Sequence, residues 1–275
     1  MPDARDTLDA PQAVTTDKVF AEPAALRRAA RSGSFLGQTS GQCPGYLQGN
    51  LVILPAADAE AFLRFCLRNP KPCPILGVGE PGDPRLPALG AGLDLRSDLP
   101  GYRVFRDGAP AERLTDIAAL WRDDFVAFVL GCSFSFEHAL IRAGIPVRHI
   151  AAGGNVPMFV TTLETEPAAP FGGPLVVTLR AFRPADAIRA ITLSERYPMA
   201  HGAPVHIGDP AQIGITDLAR PDFGDPPVIE PGDLPVFWAC GVTPQLAIRR
   251  AAPEIAITHD PGHMLVTDLI AERPS

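Results

Sequence analysis

Prolines and glycines cut this chain into short pieces. Its 275 residues include 31 prolines and 25 glycines, and most of them punctuate apolar runs instead of collecting in polar tracts. Proline lacks the N–H that a helix interior or a central strand uses, and glycine within an element costs backbone entropy. The chain is therefore restricted to short helices and strands joined by many ordered turns, and ordered loops often carry binding residues. Hydrophobic residues make up 46% and charged residues 20%, so a core can close without covalent staples.

Hydrophobic periodicity assigns the elements between these breaks. Residues 1 to about 20 lack it and read as a loose arm. EPAALRRAAR is a short helix with Pro23 in its first turn, NLVILP a buried strand, and AADAEAFLRFCLRN an amphipathic helix. Residues 70–101 read as an irregular excursion over the surface. Asp107-Gly108 signals a hairpin turn, and Thr115 is placed to cap a helix in LTDIAALW. DFVAFVLG is a strand followed by the helix SFEHALIRAG, which Gly144 stops. VRHIA, PMFVTTLE and GPLVVTLRAF read as three strands in quick succession, and PADAIRAITLSERY as a helix. VFWACG is a strand, and TPQLAIRRAA a helix capped by Thr243 with Pro244 at its first position. Strands and helices alternate at both ends and strands cluster between, which predicts an α/β fold. The expected division is a discontinuous main α/β domain of residues 1–120 and 190–275, with a smaller α+β subdomain of residues 121–190 inserted.

A net charge of −7 with no Lys/Arg block argues against a nucleic-acid partner. No apolar run reaches the ~20 residues needed to span a bilayer, so no membrane association is expected. The five cysteines are an odd number without zinc-knuckle spacing, and the opening MPDARDTLDAPQ is polar and acidic. Reduced thiols and a cytoplasmic location are the expectation. Self-association into a homo-oligomer is left open.

Three segments could cradle an anion. The first, RSGSFLGQTSGQCPGYLQGN, is a Gly-rich loop whose N–H groups can converge, with Ser40, Tyr46, Gln48 and Asn50 as added donors. The second, VLGCSFSFEH, is a strand-to-helix turn with Cys132 where a nucleophile could sit, Ser133 at the helix start and Glu137 as a candidate general acid or base. The third, FWACGVTPQ, is another such turn carrying Cys240, Thr243 and Gln245. Each has a bland alternative: a plain loop, an inert core cysteine, a helix cap, or a carboxylate offsetting a helix dipole. HGAPVHIGDP brings His201, His206 and Asp209 into one loop, and THDPGHM brings His259, Asp260 and His263 into another. Pro261 and Gly262 break the helix that a zinc-protease motif would need. No metal ligand is assigned, although a divalent ion held by His206, Asp209, His259 or His263 is a reading these residues allow. Imidazoles that titrate near neutrality also suit proton transfer.

Beyond these motifs, six long blocks occur in a familiar order: GQTSGQCPGYLQGNLVILP, FLRFCLRNPKPCPILGVGEPGDP, LWRDDFVAFVLGCSFSFEHAL, HGAPVHIGDPAQIGI, PVFWACGVTPQLAI and ITHDPGHMLVTDL. Together they resemble the hydro-lyase family that includes D-glutamate cyclase, over almost the whole chain from Arg27 to Leu269. The resemblance implies a two-part α/β fold and a lyase that removes water from a small carboxylate metabolite, with cyclisation of D-glutamate to 5-oxo-D-proline as the best-defined family reaction. This chain departs from the family pattern at Phe159 and Thr162, where Tyr and Asn are expected. In the mechanism expected here, Ser133, Thr243, Gln245, Cys240, His259 and His263 line the site with the Gly-rich loop, and His206 or Asp209 moves the proton. The alternatives are a lactam or amide hydrolase with a cysteine nucleophile, Cys132 or Cys240, and a metabolite-binding protein without catalysis.

Overall fold

A computed structural model describes residues 19–272, so the loose arm expected at the N-terminus lies almost wholly outside the described residues. The larger sheet is organised around β1 (Tyr46–Pro55), which is covered on both faces, so that nine of its ten residues are buried. β1 is flanked by β5 (Phe125–Gly131) on one side and by β10 (Ile255–His259) and β11 (Leu265–Ile270) on the other. β2 (Ile75–Val78) extends the β5 edge, the hairpin of β3 (Tyr102–Arg106) and β4 (Ala109–Leu114) extends the β10 edge, and α1 (Pro23–Arg31) sets Leu26 against Val266 of β11. Asp107 and Gly108 turn that hairpin with φ of 49° and 77°, the type I′ geometry that Asp-Gly favours.

On one face of the sheet, Leu51 and Ile53 pack against Leu86, Leu89, Leu93, Leu95 and Leu99. The 70–101 segment, expected as an irregular excursion over the surface, contributes strand β2, and Leu86, Leu89, Leu93, Leu95 and Leu99 of its irregular remainder are core and not surface. On the other face, Val52 and Leu54 meet Phe62 and Phe65 of α2 (Ala56–Arg68) and Ala247 and Ile248 of α6 (Val242–Ala251). The smaller sheet runs β6 (Met158–Glu164), β7 (Pro174–Phe182), β9 (Leu234–Ala239), β8 (His206–Ile207). Its Phe182, Val236 and Trp238 pack with Phe136 and Leu140 of α3 (Phe134–Arg142) and with Ala187 and Ala190 of α5 (Pro184–Glu195).

Two helices therefore change partners. α3 follows β5 of the larger sheet but packs Phe136 and Leu140 with the smaller one, and α6 follows β9 of the smaller sheet but packs Ala247 and Ile248 on the larger one, while its Val242 and Leu246 stay beside Val176 of β7. The α/β expectation holds in its coarse form, with helices mixed among sheets whose neighbours are all antiparallel. β5, expected in the inserted subdomain, lies next to the central strand of the larger sheet, while β8, β9 and α5 belong with the smaller sheet. The sheets thus divide the chain elsewhere than at 121 and 190, because strand pairing is chosen by long-range packing.

Three local readings also change. VRHIA is the short helix α4 (Arg148–Ala151), since Val147 and Ile150 at i,i+3 spacing both turn into the core beneath α3. LTDIAALW condenses to a single 3-10 turn, Ala118–Leu120, whose first N–H is received by Asp116 at 2.8 Å and not by Thr115. Thr243 is not a helix cap, because α6 begins one residue earlier and Gly241 holds the cap position. No helix among the described residues is long and apolar enough to cross a membrane.

Candidate functional site

The β5–α3 and β9–α6 junctions open onto one cavity. Cys132 and Ser133 come to it from the first junction, and Cys240, Gly241 and Gln245 from the second. Asn50 of β1, Thr178 of β7, Asn155, His201, His259 and the Pro261–Gly262 turn complete the polar part of its wall. The junctions are built alike. In each, a cysteine follows the last residue of the strand, and the next residue starts the helix, Ser133 at φ −62°, ψ −18° and Gly241 at φ −65°, ψ −5°. Two residues further on, a hydroxyl locks each helix to a neighbouring strand. Ser135 Oγ receives the Gln48 N–H at 2.9 Å, and Thr243 Oγ1 receives the Val176 N–H at 3.0 Å. First helical turns carry N–H groups without intrahelical acceptors and the positive end of the helix dipole, so two such ends at one cavity favour an anion.

Two buried histidines share this wall. His201 adopts a left-handed backbone, φ 74°, which costs a non-glycine residue energy and often marks functional sites. Its Nδ1 lies 2.8 Å from the Lys71 carbonyl, which can only accept, so Nδ1 carries the proton and Nε2 is left as a lone pair. Among the described residues Nε2 has no hydrogen-bond partner. His259 is held in the same tautomer by the Leu51 carbonyl at 3.3 Å, and its Nε2 accepts from Gln245 Nε2 at 3.2 Å. Burial lowers the pKa of each ring to about 4, so both are neutral at pH 7.

Behind Ser133 lies a buried ion pair. Glu137 is bound by Arg180, whose guanidinium also donates to Ser133 Oγ at 3.2 Å and to Thr178 Oγ1 at 3.1 Å. With both hydroxyl oxygens accepting from Arg180, their protons are available to a ligand in the cavity that both residues line. The guanidinium is fixed over the rings of Phe136 and Trp238, 5.0 and 5.6 Å from their centroids. Burial pushes the Glu137 carboxyl up, but the opposing charges of Arg180 and then His149 prevail and bring its pKa down to about 2. Glu137 is thus an ionised counter-ion that does not line the cavity, and its expected role as general acid or base does not suit these surroundings. Burial also pushes Cys132 up to about 12 and Cys240 to about 11, so both are protonated thiols.

The remaining candidates lie apart from the cavity. His206 sits on the edge strand β8, with Nε2 2.8 Å from the Asp209 carbonyl and its ring against Phe237. Asp209 is exposed and receives the Ala211 N–H at 3.0 Å, starting the turn Pro210–Ile213. Tyr46 lines a separate groove with His138 and Arg142, and Ser40 is half-buried in its own turn. Gln48 points into the Gly-rich loop and donates to the Thr39 and Gln42 carbonyls. That loop reaches the cavity only through Asn50, but Thr39 braces the opposite wall, donating its N–H to the Gly262 carbonyl at 2.8 Å and accepting from Met264 N at 3.0 Å. His263 is a further brace, its ring between the Pro261 and Leu36 carbonyls. Among the described residues no three His, Cys, Asp or Glu side chains are grouped so as to hold a metal ion. The ligand set considered from His206, Asp209, His259 and His263 is not brought together.

In the sequence His201 stands only as one loop histidine, and Thr178 and Arg180 belong to no motif. The signal available for the last two was a pair of polar residues at strand period two inside the apolar run GPLVVTLRAF.

A sequence profile of the family described as D-glutamate cyclase matches residues 126–268. A protein of Verminephrobacter eiseniae named "Putative hydro-lyase" is 58% identical over 265 residues, 96% of each chain. This chain belongs to the D-glutamate cyclase family. Similar family members, also named "Putative hydro-lyase", occur in Bordetella petrii, 61% identical over 90% of this chain and 94% of the relative, and in Methylobacterium radiotolerans, 60% identical over 92% and 93%. Of the cavity residues, the D-glutamate cyclase match leaves out Asn50 alone. The two departures from the family pattern do not line the cavity: Phe159 is buried in a core cluster with Val177 and Phe237, and Thr162 abuts Gly214.

Proposed function

We propose that this lyase removes water from a small carboxylate-bearing metabolite at the cavity between the two junctions, and that cyclisation of D-glutamate to 5-oxo-D-proline is the reaction to test first. The observation that carries the proposal is the unpartnered Nε2 of His201 in a cavity where two helix N-termini meet. Ring closure joins the amine nitrogen to the side-chain carboxyl carbon. Starting from the uncharged amine and the carboxylate, the nitrogen gives up one proton, and one carboxyl oxygen takes it together with a second proton from solvent and leaves as water. The helix starts at Ser133 and Gly241, with the Ser133 and Thr178 hydroxyls, suit the substrate carboxylate and the oxyanion of the tetrahedral intermediate. His201 Nε2 relays the proton from nitrogen to the departing oxygen. Asn50 and Gln245 hold the chain folded in a reactive shape.

The test is His201→Asn, because Asn tolerates a left-handed backbone while removing the base. Turnover of D-glutamate, L-glutamate, 5-oxoproline and related hydroxy acids is followed by the mass change on loss or gain of water. The variant is expected to lose about 100-fold or more in rate, the usual worth of a proton-transfer group. An unchanged rate in the folded variant removes His201 from the mechanism, and no turnover of any of these compounds by the wild type removes the reaction.

A further inference from the structure

We infer that the cavity takes up the amine of its substrate in the uncharged form, selecting carboxylates that bring no ammonium charge with them. The inference rests on the reading above that this cavity is the substrate site.

Among the described residues lining the cavity there is no Asp or Glu. The buried carboxylates just beyond its walls are already paired. Behind the β5–α3 junction, Glu137 is neutralised by Arg180, and beyond the β10–β11 turn, Asp260 is bound by Arg103 at 3.0 Å and by Arg113. At the rim, Asp225 is exposed and receives the Asn155 N–H. Facing inward are the neutral rings of His201 and His259 and the thiols of Cys132 and Cys240. His263 turns both ring nitrogens to carbonyls, and Lys71 meets His201 through its backbone oxygen.

An ammonium group held here would lie beside two positive helix ends without a counter-ion. A buried charge in that position is expelled or neutralised. A neutral amine, in contrast, finds an acceptor for its N–H in His201 Nε2. The uncharged amine is also the form with a lone pair to attack a carboxyl carbon. In this way the charge pattern of the cavity both selects the ligand and activates it.

Calorimetric titration of the full chain with glutarate, D-glutamate and L-glutamate, from about pH 7 to 9 and in buffers of different ionisation enthalpy, tests the inference. Glutarate, which has no amine, is expected to bind with little pH dependence. Any glutamate enantiomer that binds is expected to release one proton and to tighten about tenfold per pH unit, as linkage requires for one proton lost on binding. Binding of glutamate at pH 7 as tight as glutarate and without proton release overturns the inference. Because the readout is binding, selective binding without product removes only the cyclisation reading, whereas failure of all three probes to bind removes both.

Discussion

A Cβ added to Gly241 would lie 2.3 Å from Nδ2 of Asn50, a separation that no side chain can accept. The same Nδ2 donates to the Gly131 carbonyl at 2.7 Å, so Asn50 ties the end of β5 to the start of α6 across the cavity wall. Gly241→Ala should therefore displace the Asn50 carboxamide and loosen both junctions. The expected cost is about 1–3 kcal/mol in urea denaturation, the usual penalty of overpacking, with weakened carboxylate binding. An alanine variant with unchanged stability and ligand affinity would contradict this tie.

Glu137 and Arg180 make the corresponding prediction for charge. Glu137→Gln leaves a buried guanidinium without its counter-ion, and breaking such a pair costs about 3–5 kcal/mol. The loss should be read in the unfolding free energy. If Glu137 were instead the acid of the reaction, turnover would collapse while stability stayed near that of the wild type.

Acidification should destabilise the fold in a window set by two histidines. The folded pKa of His201 and of His259 is about 4, below the ordinary value of 6.5, with burial as the main cause. Above pH 6.5 neither state binds the proton and the rings contribute nothing to the pH dependence. As pH falls from 6.5 toward 4, the unfolded chain takes protons that the folded chain refuses, so stability drops by on the order of 3 kcal/mol per ring. Glu137 acts in the same direction at lower pH, since its folded pKa of about 2 lies below the ordinary 4.5. Urea midpoints measured from pH 7 to 4 should show the decline, and His201→Asn should remove one ring's share. A flat profile would count against both burial assignments.

The thiols give a sharp choice between chemistries. With pKa values pushed up to about 12 and 11, Cys132 and Cys240 are thiolate at only about one part in ten thousand or less at pH 7. Alkylation at neutral pH should be slow, and Cys132→Ala and Cys240→Ala should each keep turnover within about tenfold. Rapid alkylation with complete loss of activity, and an acyl-enzyme trapped by mass spectrometry, would favour the cysteine hydrolase.

Much of the local structure was legible from the amino-acid sequence. Asp107-Gly108 specified its hairpin turn, Pro23 its helix start, and each Cys-containing strand end its following helix, because such preferences act within a few residues of backbone. The same locality explains the errors. A five-residue run such as VRHIA carries too little periodicity to separate helix from strand, and a hydroxyl beside a helix start, Thr243, can bond a strand 67 residues away instead of capping.

What only the tertiary structure decided was which elements meet. The exchange of α3 and α6 between the sheets brought two distant cysteine junctions to one cavity. It also paired Glu137 with Arg180 across 43 residues. A backbone carbonyl 130 residues away chose the tautomer of His201, while on a sheet edge the His206 ring met the Asp209 carbonyl and the Asp209 carboxylate took the Ala211 N–H. Residue types and spacing define what chemistry a side chain can do. Whether it faces ligand, solvent or a buried counter-ion is set by packing between segments far apart in the chain, which no local pattern encodes.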